Sequence, residues 1–399
     1  MSQNLILVLN CGSSSIKFSV IDPKTEKKYI SGIAECLKLK ESSVKWKIDK
    51  SYHESSLNEY SDHNLALRFI VNEILQHKKD ILKKIVGIGH RIVNGGIKCT
   101  KSTIIDEKIL KNIKDSIPFA PLHNPAHLIG IYESFKIFPN LINKNVAVFD
   151  TAFHQTIPED SYLYAIPYYF YKKYNIRRYG AHGISHSYVS KKASNILNIP
   201  IEKSNLITCH LGNGGSVSAI LNGKCIDTSM GLTPLEGIVM GTRCGDIDPS
   251  IIFYLHEKLK ISVKEIREIF SEKSGLLGLT NISSDFRYIE DNFLKNKIAK
   301  RAMKIYCNRL SKYIGAYITL LENKLDGIVF TGGIGENAYN MRELLINKLK
   351  ILGFEINKEK NFKIRLGRSG IITNSNSIPA LVIPTNEELV IAKESIIFT

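Results

Sequence analysis

No uncharged apolar run approaches the roughly 18 residues that a membrane-spanning helix requires, and the mean hydropathy of -0.06 is that of an ordinary globular chain. No membrane partner is expected. Paired cysteines are missing as well. The seven thiols, at 11, 36, 99, 209, 225, 244 and 307, include no C-x-x-C, and their odd number fits reduced side chains better than a disulfide framework or a zinc site. Met1 to Asn4 carry no basic residue ahead of the short apolar run Leu5 to Leu9, so no secretory signal is expected and a cytoplasmic location is. Low-complexity linkers and short-period repeats are absent. The scarce charge is the acidic one: 38 Asp and Glu stand against 54 Lys and Arg, leaving +16. That excess is dispersed. In Leu37-Lys38-Leu39-Lys40 and Val44-Lys45-Trp46-Lys47-Ile48 lysines alternate with apolar residues, the period of strands with one wet face. No nucleic-acid partner is expected, because that needs basic residues gathered on one stripe; a small, highly anionic substrate stays open.

What is present is a chain of 399 residues, enough for two to three domains and a large core, patterned as repeated strands and helices. Strand Leu5 to Leu9, a Gly-Ser turn and strand Ile16 to Ile21 come first, with further strands to about Trp46. A helical period covers about Asn64 to Lys78, and apolar Ile85 to Ile88 follows. Val146 to Asp150 reads as a buried strand ending in an acid, where open α/β sheets place their chemistry. The pattern then restarts: strand Asn205 to His210, turn Gly212-Asn213-Gly214-Gly215-Ser216, strand Val217 to Leu221. Two copies of one hairpin design predict two similar domains facing one cleft. Gly327 to Phe330 runs into a Gly-rich turn and a helix, Met341 to Leu349, and the last strand, Ala380 to Ile383, precedes a terminal helix. Strand, Gly or Thr turn, then helix is an anion-binding geometry.

Chemistry concentrates in the turns. Asn10-Cys11-Gly12-Ser13-Ser14-Ser15-Ile16-Lys17 offers hydroxyls, an amide and an ammonium to phosphate oxygens. The order is not that of a Walker loop, and taken alone the turn is also an ordinary hairpin. Arg91, before Gly95-Gly96, and Arg243, inside Gly241-Thr242-Arg243-Cys244-Gly245, are glycine-framed forks suited to carboxylate or phosphate oxygens, against the plainer reading of surface ion pairs. His182, after Arg177 and Arg178, reads as a donor to an anion or as a turn cap. Spacing gives no metal site to His123 and His127, or to His182 and His186, and His53, His63, His77 and His256 receive no role.

Together these segments, with Gly89-His90-Arg91, Pro121-Leu122-His123-Asn124-Pro125, Phe149-Asp150-Thr151-Ala152-Phe153-His154, Arg178-Tyr179-Gly180, His182-Gly183, His210-Leu211-Gly212-Asn213-Gly214, Gly333-Ile334-Gly335-Glu336-Asn337 and Pro384-Thr385-Asn386-Glu387-Glu388, resemble the acetate kinase family of the actin, hexokinase and chaperone ATPase superfamily over nearly the whole chain. The resemblance implies an α/β fold of two duplicated actin-like (ribonuclease H-like) ATPase domains flanking a cleft. Residues 1–150 with the C-terminal helix 386–399 would form the first domain and 151–385 the second, which would bear nucleotide-binding and dimerisation surfaces. It implies reversible transfer from ATP to acetate giving ADP and acetyl phosphate, with Mg or Mn, in a cytoplasmic homodimer linked to acetyl-CoA synthesis. By the same resemblance Asp150, His182 and Arg243 are catalytic; Arg91, Val93, Leu122 and Pro234 bind the acyl substrate; and Asn10 and Glu387 hold the metal. Glu387 is taken over Glu388 by alignment, since spacing does not separate them. Lys17, His210, Leu211, Gly212, Asn213, Gly214, Asp285, Phe286, Arg287, Gly333, Ile334, Gly335, Glu336 and Asn337 would contact nucleotide. The chain departs from the family at Ala181, where Phe is frequent, and at Asn94, where His is; Ala181 bears on acyl length. The rival readings are a propionate or butyrate kinase of the same fold and a non-catalytic, ATP-driven binding protein.

Overall fold

Apolar residues at the inward positions of Leu5–Cys11 and Ile16–Ile21 bury both strands, β1 and β2, and the intervening Gly-Ser turn closes them into an antiparallel hairpin with Asn10 directly opposite Lys17. In this computed structural model the described residues are 3–322 and 324–399. The expectation of a chain start without a basic leader falls partly on Met1 and Ser2, outside the described residues.

Two compact units are formed, Met1–Gln155 with Asn386–Thr399, and Thr156–Thr385. In the first unit β1 and β2 are joined by β3 (Lys28–Glu35), β4 (Ser43–Ile48), β5 (Ser51–Ser56), β6 (Ile85–Ile92), β7 (Thr103–Ile104) and β8 (Asn145–Phe149) in one sheet of order β5-β4-β3-β2-β1-β6-β8-β7. β1, β6 and β8 run parallel, and the other neighbours pair antiparallel. The second unit repeats the plan with β9 (Leu206–Leu211), β10 (Gly215–Leu221), β11 (Lys224–Thr228), β12 (Gly327–Thr331), β13 (Gly370–Ile371) and β14 (Ala380–Val382) in the order β11-β10-β9-β12-β14-β13. Its parallel strands are β9, β12 and β14. An antiparallel meander followed by two parallel strands thus occurs in both units, β3-β2-β1-β6-β8 and β11-β10-β9-β12-β14. The repeat is topological and not only a resemblance between two turns.

The elements have local causes. Asp62 caps His63–Phe69 by accepting from the Leu65 amide. The expected helix 64–78 is present but changes pitch: its middle, Ile70–Leu75, widens to π geometry and Gln76–Lys78 tightens to 3-10. Leu37 to Lys40 is no strand. It forms turns, with Lys38 at φ 66° and Leu39 52 % exposed, so alternation there reflects a tight connection and not a pleat. The helix Glu387–Ile396, capped by Asn386, packs on β1, β6 and β8 of the first unit. Gly89 permits that approach, because a Cβ there would collide with Ser395 and Ile391. No helix among the described residues is long and apolar enough to cross a membrane.

Candidate active site

In the first unit the parallel strands β6 and β8 deliver Arg91 and Asp150 to neighbouring C-terminal ends of the sheet. Arg91 Nε and Nη2 donate to Asp150 Oδ1 and Oδ2 at 3.2 and 2.7 Å, a two-pronged pair, while Nη1 lies 3.6 Å from Glu387 Oε2. Asp150 is completely buried. Burial presses the Arg91 pKa down, but Asp150 and Glu387 more than offset it and hold the guanidinium above its usual range. Glu388 turns elsewhere, onto Lys28, which separates two acids that spacing left equivalent. Asn10 stands beside Lys17 across the hairpin. The turn is tight, with the Gly12 amide donating to the Ser15 carbonyl at 2.8 Å. His63 Nε2 donates to the Gly12 carbonyl at 2.6 Å, and the Leu37 amide donates to the Ser14 carbonyl. His63, which sequence left without a role, therefore fixes the phosphate-like turn. Val93 is buried just beyond β6, whereas Leu122 is 44 % exposed.

In the second unit His182 caps the helix Gly183–Ile196 with φ 58°, a left-handed conformation uncommon outside glycine. Its Nδ1 lies 2.9 Å from Ser216 Oγ, and its ring stacks on His210 with centroids 4.2 Å apart. Arg243 Nη1 donates to the Pro234 carbonyl at 3.0 Å, and burial lowers the guanidinium pKa. These cationic and donor groups meet at Gly214. A Cβ on that residue would lie 3.3 Å from Arg243 Nη1 and 3.7 Å from His182 Nε2, so the missing side chain keeps open a space between them.

Beside them a cavity of about 800 Å³ is lined by Gly212, Asn213, Asp285, Phe286, Arg287, Gly333, Ile334 and Asn337, all expected from sequence. Ser284, Glu290, Asp291, Ala338, Tyr339, Arg365 and Leu366 complete it. His210, Leu211, Gly214, Gly335 and Glu336 are not in its wall. Leu211 and Gly335 are buried, and the segment expected as a Gly-rich turn is a short helix, Gly332–Asn337, in which the Glu336 carboxylate accepts from the Gly332 and Thr385 amides at 3.0 and 3.2 Å, tying that helix to the end of β14. Burial raises the Glu336 pKa against those two bonds. Asp285 accepts from the Arg287 amide and guanidinium, which lowers its pKa and starts the helix Phe286–Asn292.

The residue that joins two walls of the cavity was not legible at all. Arg342 is completely buried. Its guanidinium donates to the carbonyls of Gly335 and Glu336 at 2.8 and 2.7 Å, to Asn361 Oδ1 and the Asn361 carbonyl at 2.8 Å, and to the Ile364 carbonyl at 3.0 Å. In sequence it is one of five polar or charged residues of the helix Tyr339–Lys348 and nothing sets it apart. Arg365, whose guanidinium stacks 4.2 Å from the Phe362 ring, comes from the second segment so held.

Comparison with known proteins gives one answer at several distances. The acetokinase family model matches residues 5–393. Acetate kinases of Photorhabdus laumondii and Salmonella typhimurium are each 60 % identical over 395 residues, spanning 99 % of this chain and 99 % of theirs. A propionate kinase structure from Francisella tularensis superposes with a TM-score of 0.92 at 46 % identity, covering 98 % of both chains. The acetate kinase of Porphyromonas gingivalis gives 0.90 at 39 % identity and 99 % of both.

Proposed function

Because the chain belongs to the acetokinase family and has its two-domain, actin-like α/β fold, we propose that it catalyses reversible transfer of the terminal phosphoryl group of ATP to acetate, giving ADP and acetyl phosphate. The observation that carries this reading is the meeting of Arg243 and His182 at Gly214, beside a cavity walled by Gly212, Asn213, Gly333, Ile334 and Asn337.

The physical demand of the reaction is electrostatic. Acetate is already ionised at neutral pH, so no base is required, and the difficulty is bringing one anion onto another. As an acetate oxygen bonds to phosphorus and the bond to the ADP oxygen breaks, charge spreads over three equatorial oxygens that need donors and cations in place beforehand. Arg243 and His182 serve those oxygens. Arg91 binds the acetate carboxylate, with Val93, Leu122 and Pro234 on the methyl side. Asp150 is engaged with Arg91 through both oxygens, so its proposed part is to aim that fork rather than to remove a proton. Lys17, with the turn that His63 and Leu37 hold, faces the nucleotide phosphates, and the cavity takes the nucleoside.

Among the described residues no three His, Cys, Asp or Glu side chains are grouped to hold a metal unaided. Mg keeps several waters and takes one or two protein oxygens plus substrate phosphates. Glu387 and Asn10 supply such oxygens, and the bound ion would neutralise phosphate charge; Mn would serve in its place.

Acetate is proposed over propionate on the strength of relatives at 60 % identity named acetate kinases, against 46 % for the propionate kinase. A cytoplasmic location and a homodimer are part of the proposal, the homodimer supported by Phe253, Tyr254 and Val263 of the second unit, 61, 60 and 57 % exposed. Coupled ADP release with acetate, propionate, butyrate or no acid tests the whole reading. Acetate should give the highest kcat/KM, with a margin of about 10- to 200-fold per added methylene. Slow ATP hydrolysis indifferent to any acid would favour the ATP-driven binding protein instead.

A further inference from the structure

Behind His182 lies a chain of buried polar groups that the reaction as described does not use. Ser216 Oγ sits between two imidazoles, 2.9 Å from His182 Nδ1 and 2.7 Å from His186 Nε2, and His186 Nδ1 is 2.7 Å from Thr208 Oγ1. Ser216, His186 and Thr208 are all at 0 % exposure. A hydroxyl has one proton and two lone pairs, and at 0 % exposure Ser216 satisfies that proton on one imidazole while it accepts from the other. The chain therefore has two directions. In one, Thr208 donates to His186 Nδ1, His186 Nε2 donates to Ser216, and Ser216 donates to His182 Nδ1; the ring proton of a neutral His182 is then on Nε2. In the reverse direction Nδ1 of His182 is the donor, and Nε2 carries either a lone pair or the second proton of an imidazolium.

The surroundings choose between them. The charged and titratable groups facing His182 include Arg243, which shares the space over Gly214 with His182 Nε2, and the stacked His210. His182 also sits on the positive end of the 14-residue helix Gly183–Ile196. A cation and a helix N-terminus both oppose an imidazolium, and a lone pair on Nε2 would repel an anion entering that space. We propose that His186, acting through Ser216 and backed by Thr208, is a positioning residue that holds His182 neutral with its proton on Nε2, so that the ring is a ready donor. The choice of the Nε2–H over the Nδ1–H tautomer rests on the reading given under Proposed function, because it is an anion over Gly214 that a lone pair on Nε2 would repel; the neutrality of the ring does not.

The test is ¹⁵N NMR of histidine-labelled wild-type protein without ligands, with His182 assigned by comparison with His182→Asn. The expected result at neutral pH is a two-bond correlation pattern of the Nε2–H tautomer for both His182 and His186. An Nδ1–H tautomer or an imidazolium at His182 would overturn the proposal whatever the activity. Kinetics supply the second arm. Thr208→Val, which keeps shape and removes the hydroxyl, and Ser216→Ala should lower kcat about 10- to 100-fold with KM for ATP little changed, and should turn His182 into a mixture of tautomers. Thr208→Ser returns the hydroxyl and should recover kcat relative to Thr208→Val. Unchanged kcat and an unchanged His182 spectrum in Ser216→Ala would refute the chain. Should His182→Asn retain full activity while the wild-type tautomer is as expected, the reading of His182 in catalysis fails and the positioning chain stands.

Discussion

Replacing Arg342 with lysine keeps a positive charge in the second unit and removes the planar fork. Arg342 makes five bonds to oxygens of Gly335, Glu336, Asn361 and Ile364, whereas an ammonium has three protons. At least two buried acceptors therefore lose their donor. At about 1–3 kcal/mol for each acceptor left unsatisfied, the loss is about 2–6 kcal/mol. For a unit this size that corresponds to a fall of about 5–20 °C in Tm. Burial lowers the Arg342 pKa to about 10, which leaves the guanidinium a cation at neutral pH; the same burial lowers the pKa of a lysine in its place and adds to the loss. The functional consequence is specific. The freed oxygens belong to the helix Gly332–Asn337 and to the segment leading to Arg365 and Leu366, which supply two walls of the cavity proposed to take the nucleoside. KM for ATP should rise while KM for acetate stays within about twofold, and ATP should recover part of the lost Tm by binding the folded form. The assay is thermal unfolding with and without ATP beside steady-state kinetics in both substrates. An Arg342→Lys protein that melts with the wild type and binds ATP normally would refute the clamp.

Arg91→Ala should reduce kcat/KM for acetate on the order of 10²–10³, and the same substitution should destabilise the first unit by removing a two-pronged cation from the buried Asp150 carboxylate; kinetics and unfolding in urea check the two effects separately. Gly214→Ala puts a methyl 3.3 Å from Arg243 Nη1, and kcat should fall about 10- to 100-fold with Tm nearly unchanged, so a fully active variant would show that the space over Gly214 is not used. Acid should loosen the first unit through His90. Burial lowers its pKa to about 4, with Asn145 opposing the shift only in part, while the unfolded chain takes up the proton near 6.5. The stability this represents is present above about pH 6.5 and is lost as pH falls through about 4; amide exchange of β6 should quicken over that window, and a flat profile would count against it.

The elements that sequence revealed are those whose cause is local. Short apolar runs on either side of a Gly-Ser turn marked β1 and β2, and the repeated hairpin after Leu206 announced the second sheet. Asp150 was legible because an acid closes a continuous apolar strand. Leu37 to Lys40 misled because alternation alone does not distinguish a pleat from a turn containing a left-handed Lys38. The hidden parts act across the chain. His63 reaches a carbonyl 51 residues away, Arg342 bonds to residues 19 and 22 positions further on, and Ser216 bridges histidines from a preceding helix. In each case the residue type is ordinary and only its partner gives it meaning. Glu387 and Glu388 show the same limit, since one residue of helical rotation decides which faces Arg91.

The most direct test of the proposed reaction is ³¹P NMR of the product formed from ATP and acetate labelled with ¹⁸O in both carboxylate positions. Direct transfer to acetate yields acetyl phosphate with ¹⁸O in the bridge between carbon and phosphorus, formed one for one with ADP. Release of inorganic phosphate with no ¹⁸O-bridged acetyl phosphate would contradict it.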